Sequence, residues 1–170
     1  KAGQKEQSLS PEVEVKPNNG VLLRKNIFLN QSFENKEDAI RFAGRVLVDN
    51  GYVTESYIDA MVKRDQLTST YIGNEIAIPH GTDDAKEAIL KSGITVIQVP
   101  GGVDFDGNRV RIVIGIAGKN GEHLGILAQI AETCSEMETV EKMAAAKTVD
   151  ELLSYFNNIT GQSEKKLVHQ

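Results

Sequence analysis

The chain predicts an α/β layer fold built around a small mixed sheet, and three observations carry that prediction. Residues 75–79, 93–98 and 110–117 are β-branched apolar runs with the composition of buried strands. Around them lie segments whose apolar residues recur every three or four positions, as on one face of a helix. The two kinds of segment alternate along the chain, the pattern of layered α/β proteins. With 170 residues there is enough chain for one domain with a real core and some loose ends.

Taken in order, residues 1–20 are polar, contain two prolines and show almost no apolar periodicity, so a flexible linker or tail is expected. Residues 26–29 suggest a short strand. From 36 to 49, Ala39, Ile40, Ala43, Val46 and Leu47 recur at helical steps, with Asn35 as N-cap and Gly51 as stop. Thr54 is placed to cap a second helix, whose apolar face holds Tyr57, Ile58, Met61 and Val62 and which should run out near Arg64 and Asp65. After the strand at 75–79, a short helix is expected at 84–90, where Asp84 and Glu87 have capping-box spacing.

The strands at 93–98 and 110–117 are separated by 11 residues that include Pro100, Gly101, Gly102, Gly107 and Asn108. This is long for a tight hairpin and short for a helical crossover, which favours an antiparallel pair joined by a loop. A third large helix follows, with Leu124, Leu127, Ala128, Ala131 and Cys134 assigned to one face. Ser135 with Glu138, and Thr148 with Glu151, match capping boxes and start two further helices. Residues 161–170 are polar and expected to fray, leaving 21–160 as the folded unit.

Composition narrows the function. A net charge of −5 argues against nucleic acid or an anionic membrane as the main partner, since both require a positive face. The single cysteine, Cys134, cannot form an internal disulfide, which fits a reducing compartment. No apolar stretch approaches the roughly 20 residues needed to cross a bilayer. The N-terminus lacks the apolar segment of a signal peptide, and a start at Lys1 rather than Met suggests a piece of something longer. A cytoplasmic domain without membrane insertion is the expectation.

The candidate chemistry centres on Ile76-Ala77-Ile78-Pro79-His80-Gly81-Thr82. Pro79 fixes its own φ and lacks a donor, while Gly81 opens conformations closed to other residues. Together they can present the His80 imidazole at a sheet rim, where a nucleophile that carries a phosphoryl group should sit. A lone histidine beside an apolar run is more often structural; its flanks and the helix start downstream argue for presentation. A helix N-terminus favours a bound phosphate, but Asp83 and Asp84 would repel one unless they face away as caps.

His123 follows Asn120-Gly121-Glu122 at the start of the third large helix, and strand ends at one rim can bring it to His80. Its ordinary alternative is an exposed helix-start histidine. Arg64 closes a helix, where a cation interacts favourably with the dipole without further purpose. His169 lies in the tail and is assigned no role. The histidines and Cys134 match no metal-binding spacing, and the glycines form neither a Walker loop nor a dinucleotide fingerprint, so no metal or cofactor is called for. A phosphate-handling protein without a nucleotide site receives its phosphate already activated, from another protein. Cys134 reads as inert core.

Several segments taken together resemble the mannitol-type enzyme IIA of the bacterial sugar phosphotransferase system. They are Arg64-Asp65-Gln66-Leu67-Thr68, Thr70-Tyr71-Ile72-Gly73, the Ile76 to Thr82 run, Val113-Ile114-Gly115-Ile116-Ala117, and Asn120-x-Glu122-His123. The similarity runs from about residue 26 to 156. It implies a small, mostly parallel mixed sheet of about five strands, flanked by helices on both faces. It also implies a relay in which the carrier HPr, charged by enzyme I, gives a phosphoryl group to His80. A cysteine of the enzyme IIB domain then receives it, for use on mannitol at the membrane-embedded enzyme IIC. By position His80 is the phosphorylated residue, His123 the supporting histidine and Arg64 the active-site arginine; Thr82 falls in the motif with a less defined role. Such a domain occurs free or as the C-terminal part of a permease, and residues 1–20 suit a tether. The alternative within the fold is a fructose-type or regulatory IIA that acts partly by phosphorylation-dependent protein binding.

Overall fold

A computed structural model describes residues 20–159. Five strands, β1 (Ile27–Phe28), β2 (Tyr71–Gly73), β3 (Ile76–Ala77), β4 (Gly93–Phe105) and β5 (Asn108–Ala117), form one sheet in the order β1-β4-β5-β3-β2. The α-helices are α1 (Lys36–Asp49), α2 (Ser56–Leu67), α3 (His123–Thr133), α4 (Met137–Ala144) and α5 (Val149–Ser154). The linker expected at 1–20, Gly20 apart, and the tail at 161–170 with His169 lie outside the described residues.

Alternation along the strands splits the core into two layers. Ile94 and Val96 of β4 and Ile112, Ile114 and Ile116 of β5 pack with Ile126, Ile130, Val140 and Leu152 of α3, α4 and α5. Ile97, Val113 and Ala117 face the other way, against Ala43, Leu47 and Met61 of α1 and α2. Helices therefore cover both faces, as expected. Gln98, buried between layers, donates to the carbonyls of Met143 (3.0 Å) and Ala146 (2.9 Å), satisfying the end of α4 from the sheet.

The sheet is mixed but not mostly parallel. β1 with β4 and β3 with β5 are parallel, whereas β2 with β3 and β4 with β5 are antiparallel, and the β4–β5 ladder is the longest. The segment expected to be a loop, 99–109, is largely strand. Pro100, Gly101 and Gly102 form an irregularity inside β4, and pairing resumes with Val103 opposite Val110. The hairpin closes on Asp106-Gly107, both at positive φ (57° and 95°), the two-residue turn whose twist matches the strands.

Caps were partly legible. The Asn35 side chain accepts from Asp38 N at 2.9 Å and Thr148 from Glu151 N at 3.0 Å, as the spacing predicts. Thr54 instead shares its hydroxyl with Ser56 at 3.2 Å, and α4 begins after Glu136 without a side-chain cap. The helix expected at 84–90 is a 3-10 segment, Asp83–Ala88, broken at Ala85, and not a regular α-helix. On α3 the buried stripe is Ile126, Ile130 and Cys134, while Leu124 is 66% exposed. Apolar residues fill a sector of about half the helix, from Ile126 round to Ala128, so their period leaves open which part of it faces inward.

One carboxylate gathers the segments that frame the rim. Asp65, 3% exposed near the end of α2, accepts from Thr70 N (2.9 Å) and Thr70 Oγ1 (2.6 Å), just before β2. Lys36, the first residue of α1, reaches Asp65 at 2.6 Å and Asp106 in the β4–β5 turn at 2.7 Å. A cation at a helix N-terminus opposes the dipole by under about 1 kcal/mol, which these two ion pairs offset. Burial alone would raise the Asp65 carboxyl, but the bonds from Lys36 and Thr70 win and hold it below its ordinary value.

Two outcomes follow from that pair. Asp65→Ala leaves Lys36 its second partner, Asp106, but strips the buried Thr70 N and Oγ1 of their acceptor, and should lower unfolding free energy by about 2 kcal/mol in urea titration at pH 7. With a depressed folded-state value, the Asp65 contribution is complete above the ordinary carboxylate range. It is lost as pH falls through the folded-state value, so the stability gap between wild type and Asp65→Ala should close in acid.

Candidate functional site

β3 stops laddering at Ala77, but the chain keeps one more contact with the sheet. Ile116 N donates to Pro79 O at 2.9 Å, and His80 pairs with Ile116 in an isolated parallel bridge. Ile78 and Pro79 are buried, while His80 and Gly81 emerge at the rim. There a cleft of about 690 Å³ opens, and Arg64, His80 and His123 all line it. The three residues singled out in the sequence therefore meet at one place.

His80 is held by its own backbone. Nδ1 lies 2.8 Å from the carbonyl oxygen of Ile78. A carbonyl only accepts, so Nδ1 carries the proton and Nε2 keeps the lone pair. Burial pushes the imidazole pKa below its ordinary 6.5, and the positive field of Arg64 and His123 pushes the same way. The Ile78 carbonyl and Asp83 oppose without reversing the shift. The ring is neutral at pH 7, with its nucleophilic nitrogen directed away from the backbone bond.

His123 opens α3, five residues after Gly118, the half-buried residue that follows the end of β5 at Ala117. A side chain at Gly118 would collide with His123 N, Cα and Cβ, so only glycine lets the helix start lie against the strand end. Ser92 steadies this corner by accepting from Lys119 N at 2.9 Å while its hydroxyl donates to the Glu122 carboxylate. Arg64, in the last turn of α2, donates through Nη1 to Thr68 O at 2.8 Å. Among the described residues its guanidinium makes no ion pair, which leaves the remaining donors available to an anion in the cleft.

Thr82 lines the cleft and donates through Oγ1 to Asp84 Oδ1 at 2.6 Å, which holds that carboxylate locally. Asp83 does not face away as expected: it lines the cleft and acts on His80. Cys134 is buried away from the cleft, and burial pushes its thiol up to about 12, as expected of inert core. Two contributors escaped the sequence. Tyr57, read as core, lines the cleft and touches the turn after His80; the signal was a tyrosine on a buried face, whose hydroxyl must find partners. Gly118 stood between a strand and a helix with no pattern to mark it. Among the described residues no group of three or more His, Cys, Asp or Glu side chains is placed to hold a metal, and no helix is long and apolar enough to cross a membrane.

The mixed five-stranded sheet with helices on both faces is the fold of solved phosphotransferase-system IIA components, and in this chain it brings two imidazoles and a guanidinium to one rim. The family model described as "Phosphoenolpyruvate-dependent sugar phosphotransferase system, EIIA 2" matches residues 21–159, and the chain belongs to that family. It is 59% identical over 140 residues to the mannitol-specific phosphotransferase enzyme IIA component of Geobacillus stearothermophilus, covering 82% of this chain and 97% of that protein. Among solved structures, the crystal structure of IIA mannitol from Escherichia coli superposes with a TM-score of 0.73 at 42% identity, over 77% of this chain and 95% of that one. The complex of enzyme IIAMTL with phosphorylated enzyme IIBMTL from Escherichia coli gives 0.74 at 42% identity, over 77% and 93%.

In a pH titration followed by imidazole 15N shifts, His80 should show its inflection below 6.5, and the neutral state should be the Nδ1–H tautomer. An inflection above 6.5, or an Nε2–H tautomer, would contradict the electrostatics described.

Proposed function

We propose that the chain is a phosphocarrier that accepts a phosphoryl group from phospho-HPr on Nε2 of His80 and passes it to a cysteine of a cognate enzyme IIB. The observation that supports this most is the Nδ1 bond to the Ile78 carbonyl, which leaves a neutral imidazole with its free nitrogen in a cleft shared with Arg64 and His123. In the forward step the Nε2 lone pair forms the N–P bond as the donor N–P bond breaks, and the donor imidazole leaves with that electron pair. The His80 ring keeps its proton on Nδ1, so the Ile78 carbonyl disperses charge that builds on the imidazole as it is phosphorylated.

Such a transfer is loose and spreads negative charge over three oxygens, so catalysis is mostly positioning and charge stabilisation. Arg64 supplies planar donors of matching geometry once it exchanges the Thr68 carbonyl for the phosphoryl oxygens. His123 donates a hydrogen bond to the same oxygens from the start of α3. Asp83 works against a dianion in the cleft and keeps the phosphoryl group transferable rather than trapped. Passing the group on reverses the bond changes, with the IIB thiolate attacking phosphorus and Nε2 leaving as neutral imidazole.

The sugar does not enter this cleft in the proposal. Its identity comes through the IIB and membrane IIC partners, and the mannitol-specific relatives support mannitol. The cytoplasm is the compartment in which these partners meet.

Incubation with phosphoenolpyruvate, enzyme I and HPr should add one acid-labile phosphoryl group by intact mass, and none to His80→Ala. Arg64→Ala should keep its circular dichroism spectrum yet accept the group about 100-fold more slowly. A phosphorylated His80→Ala protein, or an unaltered rate in Arg64→Ala, would overturn the respective assignment.

A further inference from the structure

We propose that Tyr57 is a positioning residue for His80, its hydroxyl standing in for one rung of the sheet and holding open the turn that presents the imidazole. The inference rests on the phosphocarrier reading for its consequence but on separate geometry for its content. In a parallel ladder the bridge between His80 and Ile116 uses two rungs. The first, Ile116 N to Pro79 O, is present at 2.9 Å. The second would run from Gly81 N to Ile116 O. Both of those groups instead meet the Tyr57 hydroxyl: Gly81 N donates to it at 2.9 Å, and it donates to Ile116 O at 2.9 Å.

The phenol thus acts as a spacer between two strands that would otherwise zip together. It lies on α2, whose end carries Arg64, so the same helix sets both the turn after His80 and the guanidinium across the cleft. The ring fills the space beneath the turn. A methyl group at Gly81 would sit 2.5 Å from Cε1 and 2.9 Å from Cζ of Tyr57, which explains the glycine by close approach rather than by backbone angle. Tyr57 is 2% exposed, and burial pushes its phenol up to about 12, so it stays a donor across the working range of pH.

A phenylalanine at this position keeps the ring and removes the spacer. Gly81 N–H and Ile116 C=O must then bond directly or remain unpaired in a buried place, where each unmet group is costly. Either way the turn closes or loosens, and the His80 ring changes direction relative to Arg64. Misplacement of a reacting group by an ångström costs up to about 100-fold in rate, without loss of partner recognition.

The test is Tyr57→Phe in the full chain, with transfer from phospho-HPr measured over a range of donor concentrations. The expected result is a kcat lowered about 10- to 100-fold, KM for the donor within about twofold of wild type, and altered 15N shifts for His80. Equal kcat with His80 shifts unchanged would overturn the proposal. A raised KM with kcat and the His80 signals unchanged would overturn it too, because it would place Tyr57 in donor recognition instead. Should Tyr57→Phe not fold by circular dichroism, Gly81→Ala provides the second variant: it displaces the ring with the phenol retained and should give the same kcat loss, whereas a wild-type rate would overturn the role. The 15N comparison requires no phosphoryl transfer. If wild type accepts no group, the phosphocarrier reading fails while the His80 shifts still decide whether Tyr57 positions the ring.

Discussion

The end of β5 is the constraint on which the site depends. Ile116 holds Pro79 through its amide, engages Tyr57 through its carbonyl and forms the bridge to His80. Two residues later, Gly118 lets the start of α3 pack close enough to bring His123 into the same cleft. A single strand therefore sets the relative positions of two histidines that are 43 residues apart in the chain. The strand can do this because it is central in the sheet, flanked by β4 on one side and β3 on the other. Its apolar residues also anchor the helical layers on both faces.

The cleft solves an electrostatic problem with ordinary parts. In the proposed role the His80 imidazole must be neutral while surrounded by groups suited to a phosphoryl dianion. Burial and the nearby Arg64 and His123 disfavour its protonation, and the Ile78 carbonyl fixes which nitrogen keeps the proton. The same neighbours that disfavour its protonation carry the donors that, in the proposed role, would stabilise the phosphoryl oxygens, so one arrangement favours both the free acceptor and the loaded carrier. Asp83 moderates that field. Further out, the Asp65–Lys36 pair binds the ends of α1 and α2 to β2 and the β4–β5 turn, which steadies the helix carrying both Tyr57 and Arg64.

Much of this was legible in the sequence where local chemistry decides. The Asn35 cap, the Tyr57-Ile58-Met61-Val62 face and the β-branched runs of β4 and β5 are read from residue type and spacing alone. The cleft residues His80, His123 and Arg64 were marked by flanks and motif, and the sheet brings them together. What stayed hidden depended on tertiary partners. Pro100-Gly101-Gly102 looked like a loop because a bulge and a loop use the same residues, and only pairing with β5 makes the segment strand. The face of α3 was misassigned because its apolar residues fill a sector too broad to mark its inward part. Tyr57 was read as core because a sequence shows a ring on a buried face but not the two backbone groups that its hydroxyl meets.

The central claim is that the backbone of Ile78 selects Nε2 of His80 as the phosphoryl-bearing atom. Its most direct test is a 31P–15N correlation on uniformly 15N-labelled protein after phosphorylation by the enzyme I and HPr system. The predicted result is a single phosphorus coupled to Nε2 of His80, with Nδ1 still protonated. Phosphorus on Nδ1 of His80, or on His123, would contradict it.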